Sequence, residues 1–281
     1  MKNKVWFVTG ASRGLGLSIV KKLLQQGYRV AATSRNINDL EKAVGADRKV
    51  FLPLSVDLLN EDSIAKGISK TVSQFGSIDV IVNNAGYGLA GALEELSDAE
   101  ARQNFDVNVF GSLNVIRKAM PYLCKQQSGH IFNVSSIGGF TGQFPGFGIY
   151  CATKFAVQGF SESLAAEVKP FGIHITIVSP GYFRTDFLTS SSLGLPKHEI
   201  ADYKLVRDVQ NAHTGSYNGN QAGDPDKAAA VMIEVAEQKT PPLHLFLGPD
   251  AYKLAADKIE FVQQDMESVK AMGFRKGISS R

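Results

Sequence analysis

The 281-residue chain is predicted to fold as one doubly wound α/β domain, with a seven-stranded parallel sheet between two layers of helix. Three observations carry that expectation. Short apolar runs alternate with longer helical patterns from one end to the other. The runs do not alternate polar with apolar residues, so each strand is expected to be buried on both faces, as in a parallel sheet. The segments between them are mostly long enough for crossover helices. Their right-handed connection places a ligand crevice at the carboxyl ends of the strands.

Taken in order, Val5–Val8 is the first strand. Lysines precede it as they would precede a secretory leader, but Gly10 begins a glycine-rich turn where the apolar part of a leader should continue. Val20–Gln26 is helical and stops at Gly27. Tyr28–Ala32, Val50–Leu54 and Val80–Val82 are the second to fourth strands. Ser97-Asp98-Ala99-Glu100 has the form of a capping box. His130–Val134 and His174–Val178 follow as strands. Residues 182–223 then break the rhythm with small polar residues and little strand pattern. Composition alone reads this stretch as a tolerated surface insertion. Because it leaves the ligand side of the sheet, it is taken as a substrate-binding segment. Asp224-Pro225 sets an N-cap before a proline at the first helical position. Leu243–Leu247 is the seventh strand, and Ala251–Met272 reads as an exposed amphipathic helix packed on the rim.

With 44% hydrophobic and 20% charged residues, the chain can bury a sizeable core. A net charge of +3, evenly scattered, argues against nucleic-acid or membrane partners. The two cysteines, Cys124 and Cys151, form no CxxC pair, and the five histidines show no metal spacing. That pattern favours a reducing, cytoplasmic setting without a metal site. No stretch approaches the roughly 18 apolar residues of a membrane span.

Thr9-Gly10-Ala11-Ser12-Arg13-Gly14-Leu15-Gly16 lies between the first strand and a helix. Gly10 permits the tight turn, Gly14 lets backbone approach a pyrophosphate, and Gly16 lets the helix sit close to the sheet. The helix N-terminus supplies N–H groups for the phosphates, as in a Rossmann-type dinucleotide site. At the end of the second strand, Thr33-Ser34-Arg35 stands where an NAD site would carry an acid. Arg35 can pair with a 2′-phosphate, and Arg13 offers a second cation, so NADP(H) is the expected cofactor.

Tyr150-Cys151-Ala152-Thr153-Lys154 puts Tyr150 and Lys154 on one helical face. A phenol with an ordinary pKa of about 10 transfers protons poorly at neutral pH. A neighbouring ammonium is expected to lower that value towards the working range. Cys151 is read as a small helix-packing residue rather than a nucleophile.

Together these motifs resemble the short-chain dehydrogenase/reductase family, from Val5 to about Thr185 and more loosely beyond. TGASRGLG is similar to the family's coenzyme motif, Asn83-Asn84-Ala85-Gly86 to its NNAG motif and Tyr150/Lys154 to its YxxxK motif. Pro180, Gly181 and Thr185 match its PG-xxx-T element. The resemblance implies that Tyr150 is the general acid in reduction and that Lys154 tunes it and binds the nicotinamide ribose. It implies that Ser136 polarises the substrate oxygen, and that Asn108 holds a water linking Lys154 to solvent. Ser136 is chosen over Ser135 because Ile-Gly-Gly follows it, and it stands fourteen residues before Tyr150. Asp57, with Leu58 beside it, would contact adenine; Asn83, with Ala85 and Gly86, would lie along the adenosine ribose; Thr185 would bind the carboxamide. The implied activity is hydride transfer between NADP(H) and a carbonyl/alcohol pair; the segment after Ser136 resembles the steroid-dehydrogenase-like (17-beta-hydroxysteroid dehydrogenase) branch.

A sensor that binds NADP(H) without turnover is the competing function, but it has no chemical need for Tyr150 and Lys154 together. Phe140, Phe144, Pro145, Phe147, Tyr182 and Phe183 point either to a bulky apolar substrate or to ordinary core. The helices around Asn104–Met120 and Tyr150–Val168 resemble the family's oligomer-forming pair, so a homodimer or homotetramer is expected.

Overall fold

The computed structural model describes residues 4–274. Seven strands build one parallel sheet: β1 (Val5–Val8), β2 (Arg29–Ser34), β3 (Phe51–Ser55), β4 (Val80–Asn83), β5 (Gly129–Val134), β6 (Ile173–Pro180) and β7 (His244–Leu247). Their spatial order is β3-β2-β1-β4-β5-β6-β7, every pair parallel, with Trp6 opposite Val30 on one side and Val80 on the other. Strand order reverses between β1 and β4, so a crevice opens there at the carboxyl ends.

Continuous apolar runs become strands here because both faces are covered. On one face α1 (Gly14–Gln25) packs beside the later helix α8 (Pro225–Ala236), and Leu40 of the short α2 (Ile37–Val44) joins them. Buried Gly16, Ile19, Val20 and Leu23 give α1 its apolar stripe. Each fully buried leucine or isoleucine there contributes about 1.5–3 kcal/mol. Trp6, fully buried, stacks on Phe132 at 6.1 Å and meets Tyr28 edge-on at 5.9 Å. On the other face lie α3 (Glu61–Phe75), α5 (Gly111–Gln126) and α6 (Gly148–Val168), around Phe7, Ile68, Ile81, Val115 and Ile131.

The capping box forms at Ser97 and Glu100 and starts α4 (Asp98–Phe105). A π-helical turn, Asp106–Phe110, joins α4 to α5. Residues 182–223 are not a plain loop. They contain α7 (Lys204–Ala212), a second π-helical turn at His213–Tyr217, and a two-residue parallel pairing of Leu193–Gly194 with Gly88–Leu89. The pairing ties this segment to the loop after β4. The final helix is α9 (Pro249–Gly273), docked on the rim only at its start. Only Ala251 and Ala255 are buried, against Ile137 and Phe246, and the helix from Ile259 onward is exposed. Its apolar periodicity continues past the edge of the body it packs on. No helix among the described residues is long and apolar enough to cross a membrane.

Candidate active site

A continuous cleft of about 1280 Å³ runs along the carboxyl edge of the sheet. One end is built by the glycine loop. Gly10 has φ +64°, and a Cβ there would lie 2.7 Å from Ala85 Cα, so only glycine lets the two loops meet. The Asn84 amide donates to Thr9 O and Gly10 O at 3.0 Å each, while Thr9 Oγ1 accepts from the Asn84 and Ala85 amides. Helices α2, α3, α4 and α8 each receive a side-chain cap, but α1 starts at Arg13 without one. Its N-terminal N–H groups therefore face the cleft uncapped, where they can hold an anion.

The middle of the cleft holds the hydroxyl pair. Ser136 Oγ accepts from the Gly138 amide at 3.0 Å, and its hydroxyl lies close enough to that of Tyr150 to favour the phenolate. Ser135, its neighbour, turns inward and donates to Lys154 O at 3.0 Å. Both serines line the cleft, but the Ser135 hydroxyl is spent on α6 whereas the Ser136 hydroxyl keeps its donor free. Lys154 Nζ donates to Val134 O at 2.9 Å and sits 5.9 Å from the Tyr150 ring centre. Burial holds the Tyr150 hydroxyl above its ordinary value, and the Ser136 hydroxyl only partly opposes it. Burial also pushes the Lys154 ammonium down to about 8. The expected pull of Lys154 on the phenol is thus outweighed in the protein alone, because both groups are taken out of water.

The family profile described as short chain dehydrogenase matches residues 4–195, more than half of the chain. The chain belongs to the short chain dehydrogenase family. Its members are oxidoreductases acting on CH–OH and C=O groups. Oxidoreductase BOA17 of Botryotinia fuckeliana is 36% identical over 94% of this chain and 96% of its own. A 3-ketodihydrosphingosine reductase of Bacteroides thetaiotaomicron is 34% identical over 95% of this chain and 96% of its own. A solved short-chain dehydrogenase from Streptomyces avermitilis superposes with a TM-score of 0.89 at 33% identity, covering 98% of this chain and 100% of that one. Two more distant structures carry cofactors. A 3-ketoacyl-(acyl-carrier-protein) reductase from Brucella melitensis holds NADH (25% identity, TM-score 0.72, 87% and 96% covered). An alcohol dehydrogenase from Thermococcus sibiricus holds 5-hydroxy-NADP (26% identity, TM-score 0.68, 87% and 95% covered).

Within this dehydrogenase cleft lie Gly10, Ser12, Arg13, Gly14, Leu15, Ser34, Arg35, Asp57, Leu58, Ala85, Gly86, Ser136, Tyr150, Lys154, Pro180, Gly181 and Thr185. Three expected site residues do not line it. Gly16 is buried where a Cβ would meet Gly10 O at 2.5 Å, a packing role. Asn83 spends its amide on Asn133 Oδ1 at 2.8 Å inside the sheet, and Asn84 takes the cleft position instead. Asn108, in the π-helical turn, is 1% exposed. Its amide donates to Tyr87 O and Thr153 Oγ1, and its carbonyl accepts from the Tyr87 amide. It therefore ties the loop after β4 to α6.

Two findings change the picture at the cofactor end. Arg13 is bound to Ser191 through both terminal nitrogens at 2.7 Å, so it fastens the 182–223 segment over the glycine loop. Asp39 lines the cleft near Arg35, a carboxylate that the strand-end reading did not include. On the substrate side, Phe144, Phe147, Tyr182 and Phe183 line the cleft with Cys151, Phe187 and Leu193. Phe140 instead packs on Phe246 at 5.2 Å, and Pro145 borders a separate outer depression. His213 and Gln221 also line the cleft; neither stands out in a stretch read by its small polar residues, although His213 continues the inward face of Val206 and Gln210 in α7.

Proposed function

We propose that this protein is an NADP(H)-dependent oxidoreductase that reduces a bulky apolar ketone or aldehyde, or oxidises the matching secondary alcohol. The observation that carries the reading is the Ser136–Tyr150 hydroxyl pair, set beside Lys154 on an aromatic-walled cleft. When bound, the nicotinamide supplies or accepts the hydride. Ser136 donates to the substrate oxygen and polarises its bond. Tyr150, kept protonated by burial, gives its proton to that oxygen as negative charge develops. Lys154, held at Val134 O, offsets the charge left on the phenolic oxygen. In oxidation the same proton returns to Tyr150. Thr185, packed beside Gly14, holds the carboxamide end of the cofactor in this reading.

The cradle fits a dinucleotide on its own features: the uncapped start of α1, the glycine contact at Ala85, and the cleft continuing to Asp57 and Leu58. The preference for NADP(H) rests on Arg35, which is exposed at the cleft and forms no ion pair among the described residues. Asp39, which lines the same cleft, opposes it. The 3-ketodihydrosphingosine reductase among its relatives supports an apolar carbonyl substrate. The unpaired Cys124 and Cys151 support a reducing cytoplasm. Phe110 and Phe155, 49% and 43% exposed near the α5 and α6 faces, support a homodimer or homotetramer.

NADPH oxidation over a panel of ketones and aldehydes, run beside NADH, tests the reading. Turnover preferring NADPH is expected; Tyr150→Phe should lower it about a thousandfold while cofactor binding persists. Arg35→Asp should reverse the cofactor preference. Equal turnover in the tyrosine variant would sink the assignment.

A further inference from the structure

We propose that the Asp250 carboxylate is a positioning group for hydride transfer: it fixes residues 181–183, the stretch of cleft wall that follows β6. The inference rests on the oxidoreductase reading and adds to it a residue outside the cleft. Gly181, Tyr182 and Phe183 line the cleft, whereas Asp250, the second residue of α9, does not.

The carboxylate has a place made for it. No side chain caps α9 at Gly248, and Asp250 reaches away from its own helix: its Oδ2 accepts from the Tyr182 amide at 2.7 Å. Two glycines leave room for it. A Cβ on Gly181 would collide with Oδ2, and one on Gly248 would lie 2.5 Å from Oδ1. Gly248 also has φ +95°, a region that glycine adopts at little cost. An acid in the first turn of a helix is favoured by the helix dipole, and a hydrogen bond to a carboxylate is about twice as strong as a neutral one.

The segment it holds borders both partners of the reaction. Backbone fixes its flanks: the Gly181 amide donates to Leu247 O at 2.9 Å, while Gly223 donates to Tyr182 O at 3.1 Å and accepts from the Arg184 amide at 2.8 Å. The Tyr182 amide, between them, is held by Asp250. On the cofactor side, Pro180 and Gly181 precede it and Thr185, packed beside Gly14, follows it. On the substrate side, the Tyr182 ring meets His213 at 5.7 Å, His213 meets Phe147 at 4.8 Å, and Phe147 meets Tyr150 at 6.4 Å. The next inward residues of α9, Ala251 and Ala255, pack on Ile137, the neighbour of Ser136. The start of α9 thus backs the wall on both sides of the reacting atoms. A shift of about 1 Å in such a support can cost about a hundredfold in rate.

The test follows single-turnover hydride transfer from NADPH to acetophenone, benzaldehyde and decanal by stopped flow, in wild type, Asp250→Ala and Asp250→Asn. NADPH affinity is measured alongside. Asp250→Ala should slow the hydride step at least about tenfold while NADPH affinity, set by the distant glycine loop and Arg35, stays within about twofold. Asp250→Asn keeps an acceptor for the Tyr182 amide and should return the rate to within about threefold of wild type. Asp250→Ser, which suits a first helical turn but is too short to reach Tyr182, replaces the alanine variant if that one does not fold. An unchanged hydride rate overturns the proposal, as does a loss wholly accounted for by weaker NADPH binding. An asparagine variant as slow as the alanine one also overturns it, because charge and not placement would then be what Asp250 supplies. Failure of wild type to reduce any of the three carbonyls with NADPH or NADH overturns the oxidoreductase reading, and this proposal with it. Normal turnover in wild type with an equal rate in Asp250→Ala overturns this proposal alone.

Discussion

Lys154 carries a pH dependence that can be worked out from its burial. Its ammonium loses hydration, which lowers its pKa to about 8; it is still charged at neutral pH but gives up its proton just above. Above that point the phenolate left on Tyr150 is no longer offset. The reductive kcat/KM is therefore expected to fall as pH rises through about 8, and a profile flat well beyond it would remove Lys154 from this role. His130 gives the opposite kind of limit. It is buried between β4 and β6, stacked on Phe132 at 4.0 Å and bonded to Thr176 Oγ1 at 2.9 Å. Burial first, then the charges of His174 and Lys4, lower its pKa from 6.5 to about 3. The unfolded chain thus binds a proton that the folded one refuses, and stability is lost as pH falls below about 6.5. By pH 5 the loss is about 2 kcal/mol, from about 1.36 kcal/mol per pKa unit. His130→Gln should shrink the difference in urea midpoint between pH 7 and pH 5; an undiminished difference would assign the acid sensitivity elsewhere.

At the scale of elements, α7 is held to the body by a buried carboxylate, together with the Gln210 amide that donates to Ala90 O at 2.9 Å. The Glu95 side chain is fully buried, accepts from the Ala92 and Ile200 amides at 2.8 Å each, and pairs with Arg207 of α7. Burial tends to raise its pKa, but those amides and the Arg207 charge prevail and lower it. Glu95→Ala leaves Arg207 with Gln210 Oε1 and the exposed Glu199, and orphans two N–H groups. The expected cost is about 3 kcal/mol, the lower end for breaking a buried pair. Hydrogen exchange should rise first at Lys204–Ala212 rather than in the sheet. Uniform acceleration over the whole chain would show that α7 is not a separately held unit. Arg13 at Ser191 makes a second tie, this one exposed, so the segment over the cleft is pinned at one end more firmly than at the other.

For the whole molecule, the exposed Phe110 and Phe155 matter most. An apolar ring left in water on each of two adjacent elements favours association, and a self-complementary patch gives a closed assembly. Sedimentation of wild type should report a dimer or tetramer, and Phe155→Glu should shift it to the monomer with the fold intact. A wild type already monomeric at micromolar concentration would refute the assembly. The sheet needs no such partner, because its two faces are covered by helices of the same chain.

What the sequence by itself determined was the alternation of strands and crossovers, and with it the place of each motif. Burial on both faces of a parallel sheet demands continuous apolar runs, and Gly10, Tyr150 and Lys154 sit at spacings set by local geometry. Only the tertiary structure decided the rest. Several strands run on through polar residues, to Ser34, Ser55, Asn83 and Pro180, because the ladder continues to the cleft edge after the apolar signal stops. The sheet turned Asn83 inward and left Asn84 at the cleft, and the packing of α6 turned Ser135 away from Tyr150. Whether α9 would cover anything beyond Ala255 depended on how far the body reached beneath it. Gln221 showed no pattern at all, since a buried amide without a partner is a fact about its neighbours, not about its place in the chain.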